Sequence, residues 1–281
     1  MVGVIRVATP DDAPAIRAIL AAHGNDGPVV TVDVVGPYVR HLIDRHRALV
    51  TVEDERVVAF GAVADAGVAH HLADLFVAPD RLGRGIGRPL LAALFGDAPR
   101  RTTFASGDPR ALPLYVRAGM VPLWPLIGLR GAADSVPEPE PGIEVVGAEA
   151  GELSALEAAW SGHGRPIDHA YWGAAADSDP FLVLEWGRPV ALGYARARQS
   201  APVRVVARLV VRQDADPVGP ALAAIRCAGG GGLVDVGVPG PSPVLPVLLR
   251  AGFRIDERDT FMASDATLVD PARLIPDGGL L

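Results

Sequence analysis

The chain has 281 residues, 49% of them hydrophobic and 21% charged, and a formal charge of −7. All 26 basic residues are arginine and they are spread over both halves, so no basic patch points to nucleic acid. No apolar run is long enough to span a membrane and no basic-then-apolar leader opens the chain, so a cytoplasmic location is expected. The single Cys227 can form neither an internal disulfide nor a metal cluster, and no metal is expected.

Taken in order, residues 2–7 alternate as a strand, and Asp11 or Asp12 is expected to cap a helix over 13–22. A second helix is expected over 35–47. Residues 48–53 and 56–64 read as a hairpin turning at Asp54-Glu55. A strand over 70–77 runs into a glycine loop, and a helix starts at Gly87. A strand over 102–106, a helix over 109–118 and a strand over 121–129 complete this half. Residues 131–142, rich in proline and acid, read as an extended linker.

The second half repeats the first. Leu112-Pro113-Leu114-Tyr115-Val116-Arg117-Ala118-Gly119 matches Leu245-Pro246-Val247-Leu248-Leu249-Arg250-Ala251-Gly252 at an offset of 133. Arg56-Val57-Val58-Ala59-Phe60-Gly61 matches Arg188-Pro189-Val190-Ala191-Leu192-Gly193, and Leu75-Phe76-Val77 matches Leu209-Val210-Val211. The offset falls from 134 at Leu75 to 131 at Arg88-Pro89-Leu90, which matches Gly219-Pro220-Ala221, because the second copy has lost three residues at the glycine loop.

That loop, Gly83-Arg84-Gly85-Ile86-Gly87-Arg88, places glycines between a strand and a helix start. Glycines allow close backbone approach, and the free N–H groups of a first helical turn attract anions. An ordinary glycine-rich turn is the alternative. Arg88 replaces the third glycine of a dinucleotide fingerprint, and no Lys-Ser or Lys-Thr pair makes it a P-loop. The stretch from Val77 through Pro79 to the glycines and an apolar helix resembles the acyl-CoA loop of the GNAT acetyltransferase superfamily, with Leu82 departing from its Gln or Arg. A second stretch, Asp108, Ala111, Leu114-Tyr115 and Gly119, resembles the family's later signature, with Asp108 in place of Asn and Met120 in place of Phe.

The resemblance implies an α+β fold. It would comprise two tandem GNAT-like domains, at 1–130 and 143–281, each with a mixed, mostly antiparallel sheet flanked by helices and a splayed parallel strand pair. It implies acetyl-CoA as co-substrate. The pantetheine arm would lie on the backbone of Leu75, Phe76 and Val77. The pyrophosphate would lie on Gly83, Arg84, Gly85, Ile86, Gly87 and Arg88, with Asp108 nearby. Tyr115 would protonate the leaving thiolate.

Strand alternation puts His71, Ala73, Leu75 and Val77 on one face. The resemblance implies a base at 71 or 73, and since Ala73 cannot serve, His71 is the base expected, a surface or core-edge histidine being the alternative. Asp74, on the other face, could orient a substrate ammonium or bond to backbone. A bulge would spoil this parity.

The second copy lacks the alternating glycines, and Leu248 stands where Tyr115 stands, so it reads as a degenerate module. The region Trp160 to Trp172, like Tyr38 to His46 in the first half, either borders an acceptor cleft or packs as plain helix. The expected activity is N-acyl transfer to a small-molecule or peptide amine by direct attack, without membrane or nucleic-acid partners. The alternative is a non-catalytic acyl-CoA sensor. Nothing in the sequence fixes the oligomeric state.

Overall fold

A computed structural model describes residues 3–23, 32–175, 177–197 and 202–281, with side chains of 32–35 left aside. The first half contains β1 (Val4–Val7), α1 (Ala13–Ala21), α2 (Val32–Arg45), β2 (Arg47–Glu53), β3 (Arg56–Asp65), β4 (His70–Val77), α3 (Gly87–Phe95), β5 (Arg101–Ala105), α4 (Ala111–Arg117) and β6 (Val121–Ala132). The second contains β7 (Ile143–Gly147), α5 (Ala150–Ser161), α6 (Pro166–Ala174), β8 (Ser178–Glu185), β9 (Arg188–Ala197), β10 (Val203–Val211), α7 (Gly219–Gly229), β11 (Leu233–Pro239), α8 (Val244–Arg250), β12 (Arg254–Ala263) and the short β13 (Leu274–Ile275). No described helix is long and apolar enough to cross a membrane.

Local sequence explains the element ends. Asp54 and Glu55 take φ of 48° and 63°, as a two-residue hairpin turn between right-twisted strands requires. Asp12 does not cap α1 from outside. It lies at the end of a 3-10 turn, Pro10–Asp12, and its carboxylate reaches back to the Thr9 N–H (2.8 Å) and to Arg6 (2.7 Å). Residues 58–64 of β3 are all buried, because α1 covers one face of this strand and α3 the other.

The strands form one sheet in the order β1-β2-β3-β4-β5-β12-β6-β11-β10-β9-β8-β7, with β13 paired to β10. The last strand of each half therefore sits beside the other half: β12 pairs with β5, and β6 with β11. The register obeys the repeat. At the 133-residue offset the pair Thr102↔Ala263 maps onto Asp235↔Arg130, and both pairs are present. β6 and β12, the equivalent strands, pair antiparallel with each other at the centre. This is the self-complementary contact that a two-fold relation between copies generates.

The cores follow the strands. Ile127, Leu129, Ala133 and Val136 of the first half pack into the core of the second, and Met262 packs into the core of the first. A third cluster joins Ile16, Val39, Leu42 and Phe60 to Leu153, Trp172, Leu192 and Tyr194, so the helices of both halves share it. The extended segment is shorter than 131–142: Gly131 and Ala132 belong to β6, Ala133 and Val136 are buried, and the unbroken exposed run starts at Pro137. Gly131 is required because a Cβ there would meet the Phe253 ring.

Candidate acyl-CoA site

The glycine loop follows β4 through a 3-10 turn, Pro79–Arg81. Gly83 and Gly85 adopt φ of 76° and 79°, and a Cβ at either would touch nothing within 4 Å. These glycines serve backbone direction rather than space, since side-chain-bearing residues avoid this region. Ile86, 9% exposed, plugs into the core and fixes the loop on α3. Among the described residues, no carbonyl or side chain accepts the N–H groups of residues 83–88, and Arg84 and Arg88 make no ion pair. Arg81, by contrast, is held by Glu53 and Asp80. The loop therefore presents a row of unpaired donors and two free guanidinium groups at a helix start, a set that fits a pyrophosphate.

β4 and β5 pair in parallel only from His70↔Arg101 to Leu72↔Thr103, then diverge. Beyond that point Leu75, Phe76 and Val77 have β3 on one side and, among the described residues, no strand on the other. The Val77 carbonyl accepts from His23 Nε2 at 2.7 Å.

The face assignment along β4 changes at a bulge. Ala62 pairs with Asp74 and Val63 with Leu72, so Ala73 is the extra residue. His71, Asp74 and Phe76 consequently share one face, and Leu72, Leu75 and Val77 the other. The grouping of His71 with Ala73, Leu75 and Val77 does not hold.

His71 is fully buried. Its Nδ1 lies 3.0 Å from Thr102 Oγ1 and its Nε2 3.4 Å from the Gly278 carbonyl. Burial pushes its pKa down to about 3, and both ring nitrogens have partners, so in this arrangement it has no free lone pair for an incoming ammonium.

Asp74 has what His71 lacks. Its Oδ2 is shut off from solvent and has no hydrogen-bond partner, while the carboxylate accepts from the Tyr38 hydroxyl. Burial, with help from the neighbouring Asp277 charge, pushes its pKa up to about 7. Alternation alone set it on the wrong face, and only the pairing with β3 reveals its position. Tyr115 is 7% exposed on α4, and its hydroxyl has no hydrogen-bond partner among the described residues. Burial, then the charges of Asp74 and Asp108, raise its pKa, so the phenol keeps its proton at neutral pH. Asp108 spends its carboxylate on the Arg110 guanidinium and N–H, which hold its pKa near 2.

The second half closes the corresponding features with its own chain. β13 lies antiparallel on Leu209 and Val210, the residues equivalent to Leu75 and Phe76. Asp216 Oδ2 accepts the Gly219 N–H at 2.7 Å, so a carboxylate already sits at the start of α7. Leu248 is fully buried in the position of Tyr115.

The two early helical regions meet each other. Tyr38 and Asp277 lie beside Asp74, and Gly279 packs against the Tyr38 hydroxyl. Trp172 is core, with Arg165 and Arg208 stacked on its ring at 5.0 and 4.7 Å. Trp160 and His163 line a cleft that Ala66 and Val68 of the first half also border.

Residues 25–120 match the model of the acetyltransferase (GNAT) family. The fold is that of GNAT proteins across the whole chain. A putative acetyltransferase from Pyrococcus horikoshii superposes with a TM-score of 0.72 at 14% identity, covering 99% of this chain and 94% of its own. A GCN5-related N-acetyltransferase from Sphaerobacter thermophilus gives 0.62 at 19% identity over 93% and 95%. A tandem GNAT protein from the clavulanic acid biosynthesis pathway gives 0.61 at 17% identity over 96% and 99%. No curated protein sequence matches the chain significantly. The GNAT resemblance read from the two motifs thus stands for the first half in sequence and for both halves in fold.

Proposed function

We propose that this chain is an acetyl-CoA-dependent N-acyltransferase with one working site, built by the first half. The observation that carries this reading is the contrast between the copies. The first leaves a strand edge and a glycine-loop donor row open, and the second covers both with β13 and Asp216. Acetyl-CoA supplies the activated acyl group. Residues 83–88 bind its pyrophosphate through backbone N–H groups, with Arg84 and Arg88 adding charge, and the backbone of residues 75–77 orients the pantetheine arm.

Asp74 replaces His71 as the general base. A carboxylate with a pKa near 7 takes a proton from an ammonium that must become neutral before it can attack. The amine then attacks the thioester carbonyl directly, and Tyr115 gives its proton to the departing sulfur. Asp74 and Asp277 together favour a cationic amine, of a small molecule or a peptide. The second half closes the acceptor side through residues 277–279.

The test is release of free thiol from acetyl-CoA in the presence of a panel of amines. We expect turnover with at least one amine, and a fall of about 10²–10⁴-fold in kcat for Tyr115→Phe. Tight CoA binding with no thiol release on any amine would overturn the catalytic reading in favour of a sensor.

A further inference from the structure

Away from the acyl-CoA site, three ligand atoms from two halves of the chain converge on one point. His41 lies in the last turns of α2 and His46 just past its end, with the His46 N–H on the Leu42 carbonyl at 3.1 Å. Asp168 lies in the first turn of α6. His41 Nε2 is 3.0 Å from Asp168 Oδ1, His46 Nε2 is 2.9 Å from the same oxygen, and the two nitrogens are 3.1 Å apart. All three side chains are at most 7% exposed.

Only one protonation pattern satisfies this triangle by hydrogen bonding. Each Nε2 carries either a proton or a lone pair. If both are protonated, both donate to the one Asp168 oxygen, and their hydrogens crowd together there. If one is protonated, the other directs its lone pair at the lone pairs of the carboxylate. If neither is, three lone pairs converge. A cation at the centre resolves all three contacts at once.

The geometry points to a divalent transition-metal site of the zinc type, formed by His41, His46 and Asp168. Two imidazoles and a carboxylate are borderline ligands of the kind zinc takes, and three protein ligands leave a fourth position for water. Bonds of about 2.0–2.1 Å in a tetrahedron separate ligand atoms by roughly 3.3 Å, so the set need open by only a few tenths of an ångström.

The surroundings hold the ligands in place. Arg165 grips Asp168 Oδ2 through Nε at 3.1 Å and Nη2 at 2.9 Å, leaving Oδ1 for the metal. His41 is stacked on Tyr171, ring centres 4.3 Å apart. Such outer contacts fix ligand orientation. The nearby charges are already matched, Arg165 by Asp168 and Arg208 by Glu157. The site joins α2 to α6 and so staples the first half to the second. It braces Tyr171 beside the acceptor side without touching the reacting groups.

No sequence spacing marked it. The histidines are five apart and the carboxylate lies 122 residues beyond the second of them, so only the packing of the halves unites them.

The test uses the full chain, stripped with a chelator and titrated with Co²⁺. We expect visible absorption bands of a low-coordinate nitrogen-ligated ion, saturating at one Co²⁺ per chain and abolished by Zn²⁺. We also expect Zn²⁺ to raise the thermal midpoint of the stripped protein, as ligand linkage requires. His46→Gln and Asp168→Asn should each weaken Zn²⁺ binding by more than about 100-fold, beyond the loss typical of outer contacts. Absence of both the cobalt bands and the midpoint rise in the unaltered chain would overturn the site, and that result does not depend on any variant folding. Undiminished binding by both folded variants would overturn it equally.

Discussion

The chemistry proposed for this chain turns on one carboxylate. Asp74 sits on a bulged strand with one oxygen unpartnered, and burial holds its pKa near 7. We expect kcat/KM for thiol release to rise through pH 7 as Asp74 ionises, and Asp74→Asn to lower kcat by about 10²–10⁴-fold and to flatten that limb. The stability effect has the opposite direction. The folded pKa lies above the unfolded value of 3.8, so the unfolded chain binds fewer protons between about pH 4 and 7. Stability contributed by this residue is present below about pH 4 and declines up to pH 7. Asp74→Asn should therefore raise the midpoint of denaturant unfolding at pH 8 relative to the unaltered chain. An unchanged rate limb would remove Asp74 from the mechanism. The residue types were legible here but not their faces. Tyr115 follows from its motif, whereas the bulge at Ala73 exists only through pairing with β3, and it separates His71's buried, fully bonded ring from the role alternation gave it.

At the scale of elements, the same strand–loop–helix unit occurs twice with opposite outcomes. In the first copy the loop glycines keep backbone donors free. In the second, three residues are missing, Asp216 caps α7 from within the chain, and β13 lies on the strand edge. The glycines, the helices and the missing residues were readable from sequence because they depend on local conformation. The filling of the second site was not, since β13 and β10 are some sixty residues apart and nothing in Leu274-Ile275 marks it as a two-residue strand.

At the scale of the whole molecule, the halves are interlocked. β6 and β12 each extend the partner half's sheet, and one core cluster draws on both. The repeat made two copies legible but not this arrangement, because equivalent strands offer equivalent edges and either half can accept either strand. Cooperative unfolding should follow from the shared core. Calorimetry is expected to show one transition for the full chain with calorimetric and van't Hoff enthalpies in agreement, and two separated transitions would contradict the interlock.

We infer that one copy binds acyl-CoA and that the other has closed its site with its own chain. Calorimetric titration of CoA into the full chain tests it most directly, alongside Gly85→Val. That substitution strains a φ of 79° by about 1–2 kcal/mol without a side-chain clash, so the protein should remain folded. One CoA per chain is expected, and none in the folded variant. Two CoA per chain, or stoichiometric binding that survives Gly85→Val, would contradict it.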